Sequence, residues 1–154
     1  MDRKINIFDM IGSLIPGYQG YAERDGRRNC DKILRDCISN DLLIIEKNIN
    51  ERINSALSGK EFELAKKFEV CRKNINTLFS KIKYSSYGAT AFFSDNQIKE
   101  EEIMQTYKID LMILEIVEVL KKQVNDILPL ELNKLIVSIQ DILSKRENFI
   151  NTYK

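Results

Sequence analysis

"KEFELAKKFEVCRKNINTLFSKIKY", Lys60 to Tyr84, decides the fold. Its apolar residues Leu64, Phe68, Cys71, Ile75, Leu78 and Ile82 recur at alternating steps of four and three. That spacing holds side chains on one seam of a helix that packs in an antiparallel bundle or coiled coil. Upstream, Cys30, Ile33, Leu34, Cys37, Ile38, Ile44, Ile45, Ile49, Ile53, Ala56 and Leu57 keep a helical spacing, and Gly59 follows where a C-cap is expected. The reading is one long helix over 22–58, continuous through Ser39 to Asp41, where an internal N-cap could break it. Downstream, Ile103, Tyr107, Leu111, Leu114, Val117, Leu120 and Val124 point one way along 98–124, and Ile113 and Ile116 widen the face. Such a helix is buried on more than one side. Pro129 stands where a first helical turn tolerates it, and Leu132, Leu135, Ile136, Ile139, Ile142, Leu143, Phe149 and Ile150 carry a fourth helix over 129–152.

No strand alternation or internal repeat competes with these helices. The expected fold is all-α: an antiparallel up-down four-helix bundle, coiled-coil-like, with a long first helix. It forms one domain over 1–154, opened by a short amphipathic segment within 1–21 that carries Ile7, Phe8, Met10, Ile11 and Leu14. The 60–84 helix is rich in lysine and the 98–124 helix in glutamate, so opposite charge predicts them as neighbours, although an exposed pair contributes at most about 1 kcal/mol. The first helix exceeds the others by roughly ten residues, about 15 Å. That overhang calls for another surface and suggests a homodimer.

Composition excludes several chemistries. The 154 residues include no histidine and carry a formal net charge of +1. Histidine-based acid–base catalysis, the usual triads and the Glu-x-x-His di-iron motif are therefore absent. No G-x-x-x-x-G-K-[ST] or G-x-G-x-x-G loop offers a phosphate cradle, and no cofactor is expected. A near-neutral balance gives no reason to expect nucleic acid as a partner. The "KEEE" at Lys99 to Glu102 suits a helix N-terminus better than a metal, since adjacent glutamates diverge. Three cysteines without metal-type spacing, no secretory leader and no long apolar run point to a cytoplasmic protein, and Cys30, Cys37 and Cys71 read as core residues.

Two segments are candidates for binding. "IPGYQGYAERDGRRNCDKILRD", Ile15 to Asp36, places Tyr18 and Tyr21 beside Arg24, Arg27 and Arg28. One reading satisfies the charge along the helix surface through the i,i+4 pairs Arg27–Asp31, Asp31–Arg35 and Lys32–Asp36. The other makes the arginines a cationic end for anionic lipid, phosphate or an acidic protein, because positive residues at a helix N-terminus oppose its dipole. "SSYGATAFFSDNQ", Ser85 to Gln97, is an interhelical loop, and the aromatics Tyr84, Tyr87, Phe92 and Phe93 around Gly88 either plug the bundle end or form a docking or membrane-surface patch. Ser94 and Gln97 have the form of a capping box for the next helix. An antiparallel bundle brings both segments to one end.

"PGYQGYAERDGRRNCDKILRD" and "KIKYSSYGATAFFSDNQIKEEEIMQTYKIDL" resemble the corresponding segments of an uncharacterised bacterial all-helical family, although Ala89 and Thr90 depart from its pattern after "SYG". The resemblance covers about a third of the chain and implies a bacterial cytoplasmic helical domain without supplying catalytic residues. The functional expectation is a non-enzymatic interaction or scaffold module that meets a protein partner through Tyr18, Tyr21, Arg24, Arg27, Arg28, Tyr87, Phe92 and Phe93. The alternatives are an adaptor on an anionic membrane surface and a histidine-free enzyme using tyrosine and aspartate.

Overall fold

The computed structural model describes residues 6–85, 90–95 and 97–153. The chain is all-α. Helix α1 (Ile7–Leu14) leads into a 3-10 turn at Arg24–Gly26 and then α2 (Arg27–Ser58), α3 (Phe62–Tyr84), the single turn α4 (Ala91–Ser94), α5 (Glu100–Gln123) and α6 (Pro129–Thr152). Among the described residues, no helix is long and apolar enough to cross a membrane.

Helix α2 is continuous through Ser39 to Asp41 and buries Cys30, Leu34, Ile38, Leu42, Ile45 and Ile49 along one side. Each such aliphatic side chain contributes roughly 1.5–3 kcal/mol on burial. Its start lies at Arg27, five residues later than 22. The delay has a cause: Gly20 takes φ +84, and the Tyr21 N–H donates to the Tyr107 hydroxyl at 2.9 Å, so the chain is still held against α5 there. At its other end Gly59 is the C-cap, yet Lys60 takes the left-handed conformation, φ 59. Helix α3 buries Phe68, Cys71, Ile75, Leu78 and Ile82 as its seam demands, with Ala65 added and Leu64 at the margin.

The neighbours differ from the charge-based expectation. Helix α2 packs on α3 and α5, α6 packs on the same two, and α3 and α5 stand at opposite corners. Ladders of contacts give the directions. Asp31 and Asp110 share Arg146, while Asp41 pairs with Lys121 and Arg52 Nη1 donates to the Val124 carbonyl at 3.0 Å, so α2 and α5 run parallel. Asn74 meets Asn133 at 2.8 Å and Ser85 reaches Glu147 at 3.4 Å, so α3 and α6 run parallel too. The bundle is two antiparallel hairpins, α2–α3 and α5–α6, laid side by side and joined by a connection that crosses its diagonal. Surface charges worth a few tenths of a kcal/mol each do not choose neighbours against burial of the apolar seams.

The overhang of α2 is covered by its own chain. Asp36 meets Lys83 near the end of α3, and the turns before it continue beyond α3. There they meet Tyr21, Phe92 and the end of α6, through Arg27 and Asp31. Excess length therefore demands no second copy. The N-terminal segment also has a partner: α1 packs on α5, with Ile11 buried and Phe8 5.9 Å from the Tyr107 ring.

Candidate functional site

The two candidate segments meet at the end of the bundle where the hairpins are joined. Tyr21 lies 5.7 Å from Phe92, 5.5 Å from Tyr107 and 6.1 Å from Tyr18, and Phe92 stacks edge-on with Phe93 and Tyr153. They meet inside. Tyr18, Tyr21, Arg27, Phe92 and Phe93 are all buried. Aromatic edges and faces at these separations fill the space between helix ends and exclude water. Phe92 and Phe93 plug the bundle end, whereas Tyr84 at the end of α3 is 75% exposed, and the direct contact role expected of the five buried residues does not fit their placement. Tyr87 lies outside the described residues.

Arg27 is the clamp of this plug. Its Nε donates to the Tyr21 carbonyl at 2.8 Å, and its Nη1 donates to the carbonyls of Phe92 at 3.2 Å and Asp95 at 2.6 Å. A cation on the first turn of α2, unfavourable for the helix dipole, is thus used to satisfy loop carbonyls that no helix ladder serves. Asp95 fixes the loop from its other side. Its Oδ1 accepts from the Gln97 N–H at 2.8 Å and its Oδ2 from the Tyr153 hydroxyl at 2.9 Å. This local turn replaces the capping box expected of Ser94 and Gln97, since Ser94 ends α4 and α5 begins only at Glu100. The Gln97 N–H and then Tyr153 hold the Asp95 carboxyl below its usual value, while burial, with Asp95 beside it, pushes the Tyr153 hydroxyl up to about 12.

Beneath the plug is a buried ionic cluster. Arg146 places Nε 2.6 Å from Asp110 Oδ1 and Nη2 2.7 Å from Asp31 Oδ1, and Arg35 meets Asp31 Oδ2 at 3.1 Å. The Tyr21 hydroxyl donates to Asp110 Oδ2 at 2.6 Å and accepts from Arg146 Nη2 at 3.0 Å. Two carboxylates and two guanidiniums balance. Burial pushes the Asp110 carboxyl up against the pull of Arg146, and pushes the Tyr21 hydroxyl up as well.

Neither Asp110 nor Arg146 stands out in the residue pattern as a site, and Asp31 reads as one member of a helix-surface pair. Their signal is positional. Asp110 falls between Tyr107 and Ile113 on the inward face of α5, and Arg146 between Leu143 and Ile150 on that of α6. Opposite charges on two apolar stripes are expected to pair, because a buried charge without a partner is costly.

The cluster cannot act on a substrate as it stands. Tyr21 and Asp110 are 0% exposed and Arg146 1%, so no molecule reaches this tyrosine–carboxylate pair, and the other such pair, Tyr153 with Asp95, is half-buried and holds the loop. Burial pushes the Cys30 and Cys71 thiols up to about 11 and raises that of the half-buried Cys37 as well, away from the thiolate form that a nucleophile needs. Among the described residues, no group of three or more acidic or cysteine side chains could hold a metal ion.

At the surface of this end remain Arg24 and Arg28. Arg24 pairs with the exposed Asp25 at 3.3 Å, and Arg28 lies over the Phe93 ring at 4.7 Å. Together with Ser94 these residues line a small hollow. Larger apolar exposure occurs elsewhere. Leu43 and Ile44 stand side by side on α2 at 47% and 52%, and Met104, Met112 and Val119 mark the outward face of α5. Val70 and Leu130 flank a groove between α3 and α6 that Lys67, Cys71, Pro129 and Asn133 complete.

Comparison with protein families, with curated proteins and with solved structures finds no significant match.

Proposed function

We propose that the chain is a helical interaction module without enzymatic activity, and that it meets a protein partner through the outward face of α2 rather than through the Tyr/Arg/Phe end. The observation that carries this reading is the adjacent pair Leu43 and Ile44, each about half exposed in the middle of the longest helix. Single exposed apolar residues need no explanation, whereas adjacent ones can join into an apolar patch of the kind that marks a contact surface. The tyrosine, carboxylates and guanidinium of the ionic cluster are meanwhile consumed by one another inside the bundle.

The membrane-adaptor reading gains less support, because α1 directs Ile11 into the bundle and rests Phe8 against Tyr107. An interfacial helix would keep that apolar face free.

The test is affinity capture with wild type and with the Leu43→Asp/Ile44→Asp variant, after circular dichroism has shown equal helicity and melting. A protein retained by the wild type and lost by the variant supports the reading. Equal capture by both would move the contact away from α2.

A further inference from the structure

The outward stripe of α5 carries a pattern with a symmetry of its own. Glu101, Lys108, Glu115 and Lys122 are spaced by seven, alternate in sign and are all exposed. Among the described residues none of the four forms an ion pair within the chain. Beside them run Met104, Met112 and Val119, at 37%, 49% and 37% exposure. Seven residues are nearly two helical turns, so these side chains form one stripe about 32 Å long, opposite the buried face of Ile113, Val117 and Leu120.

We propose that this stripe binds the same stripe of a second copy, antiparallel, about a two-fold axis between Leu111 and Met112. Each residue then faces the one equally far on the other side of the axis. Glu101 meets Lys122 of the second copy, Lys108 meets its Glu115, Met104 meets its Val119, and Met112 packs near the axis beside its own counterpart. Every charge finds the opposite sign and every apolar residue an apolar one. A parallel pairing would set Glu101 against glutamate and Lys108 against lysine. The surface bounded by Glu101, Met104, Gln105 and Lys108 is hollowed, and that is where Val119 and Lys122 of the second copy would seat.

The other outward faces lack this self-match. On α3, Lys66, Lys73 and Lys81 present one sign, and on α2 an antiparallel pairing centred on Leu43 and Ile44 would oppose Asp36 to Glu51. The apolar residues supply the attraction, while the charges select orientation and register. A two-fold contact closes on itself and stops at a dimer. The inference stands apart from the partner contact on α2, whose variant leaves α5 intact.

Sedimentation at about 100 μM, where a micromolar association is populated, tests the proposal with wild type, Lys108→Glu and Glu115→Lys. Both substituted positions are exposed, and circular dichroism checks that each variant keeps its fold. Wild type is expected at twice the 18.0 kDa chain mass, each variant at the monomer mass, and an equimolar mixture of the two variants back at the dimer mass, because each supplies the sign the other has lost. Raised salt is expected to shift wild type toward monomer. A monomeric wild type, a dimer indifferent to either reversal, or a mixture that stays monomeric would each overturn the proposal.

Discussion

Arg146 and Asp110 join α6 to α5 by an ion pair of 2.6 Å between side chains that are 1% and 0% exposed. The same guanidinium reaches Asp31 on α2, so one side chain ties three helices together. Arg146→Leu would leave two carboxylates buried with their main partner gone. Breaking a buried pair in this way costs about 3–5 kcal/mol. Urea unfolding at neutral pH is expected to show a loss of that size, against less than about 1 kcal/mol for Lys134→Ala, whose pair with Glu131 at 3.5 Å is exposed. A loss at Arg146 no larger than at Lys134 would mean that water enters the cluster.

Gly20 and Gly17 offer a controlled comparison. Both have positive φ, +84 and +80, but a Cβ on Gly20 would lie 2.5 Å from the Tyr107 hydroxyl and 2.7 Å from the Phe8 ring, whereas one on Gly17 would meet nothing within 4 Å. Gly17→Ala is expected to cost about 1 kcal/mol, the strain of the left-handed backbone alone. Gly20→Ala adds overpacking of about 1–3 kcal/mol. Equal melting temperatures for the two variants would refute the close approach of this strand of chain to Tyr107.

Phe92 is completely buried among Tyr21, Phe93 and Tyr153. Phe92→Ala is expected to destabilise by about 3–5 kcal/mol through the cavity it opens. Thermal melting reads the effect. A variant that melted like wild type would return Phe92 to the surface and reopen the loop as a docking site.

The Asp95 carboxyl titrates below its unfolded value of about 3.9, held there by the Gln97 N–H and the Tyr153 hydroxyl. Its stabilising contribution is therefore present above that value and disappears as pH falls through the depressed one. Asp95→Asn is expected to be less stable than wild type at pH 7, with the gap closing as pH falls below the ordinary carboxylate range. The buried Asp110, whose shift has the opposite sign, is common to both chains and cancels in the comparison. A gap that widened in acid would contradict the assigned hydrogen bonds.

Helix positions were legible because burial imposes a period: the steps from Leu64 to Ile82 name the seam of α3 with one residue, Ala65, to add. Pro129 likewise marks the first residue of α6. Neighbour choice was not legible, since an apolar stripe says that a helix is covered and does not say by which partner. Lysines on α3 and glutamates on α5 suggested a contact, and the two helices lie across the diagonal. The tyrosine and phenylalanine segments were placed at one end by topology alone, but whether rings face inward depends on loop carbonyls, which Arg27 gathers from three places. The ionic cluster left a readable trace in Asp110 and Arg146, each set among apolar neighbours at the inward spacing of its helix.

The diagonal connection also has a consequence for the order in which the molecule assembles. Each hairpin pairs residues close in sequence and closes over a short turn, which makes it fast to form. Docking one hairpin on the other is the step that places Asp110 and Arg146 against Asp31 and lets Arg27 bind the linker. The ion pairs of the cluster are therefore complete only when the hairpins are docked: amides of the hairpin turns are expected to exchange with solvent by local opening, and those of α2 and α5 around the cluster only when the hairpins part.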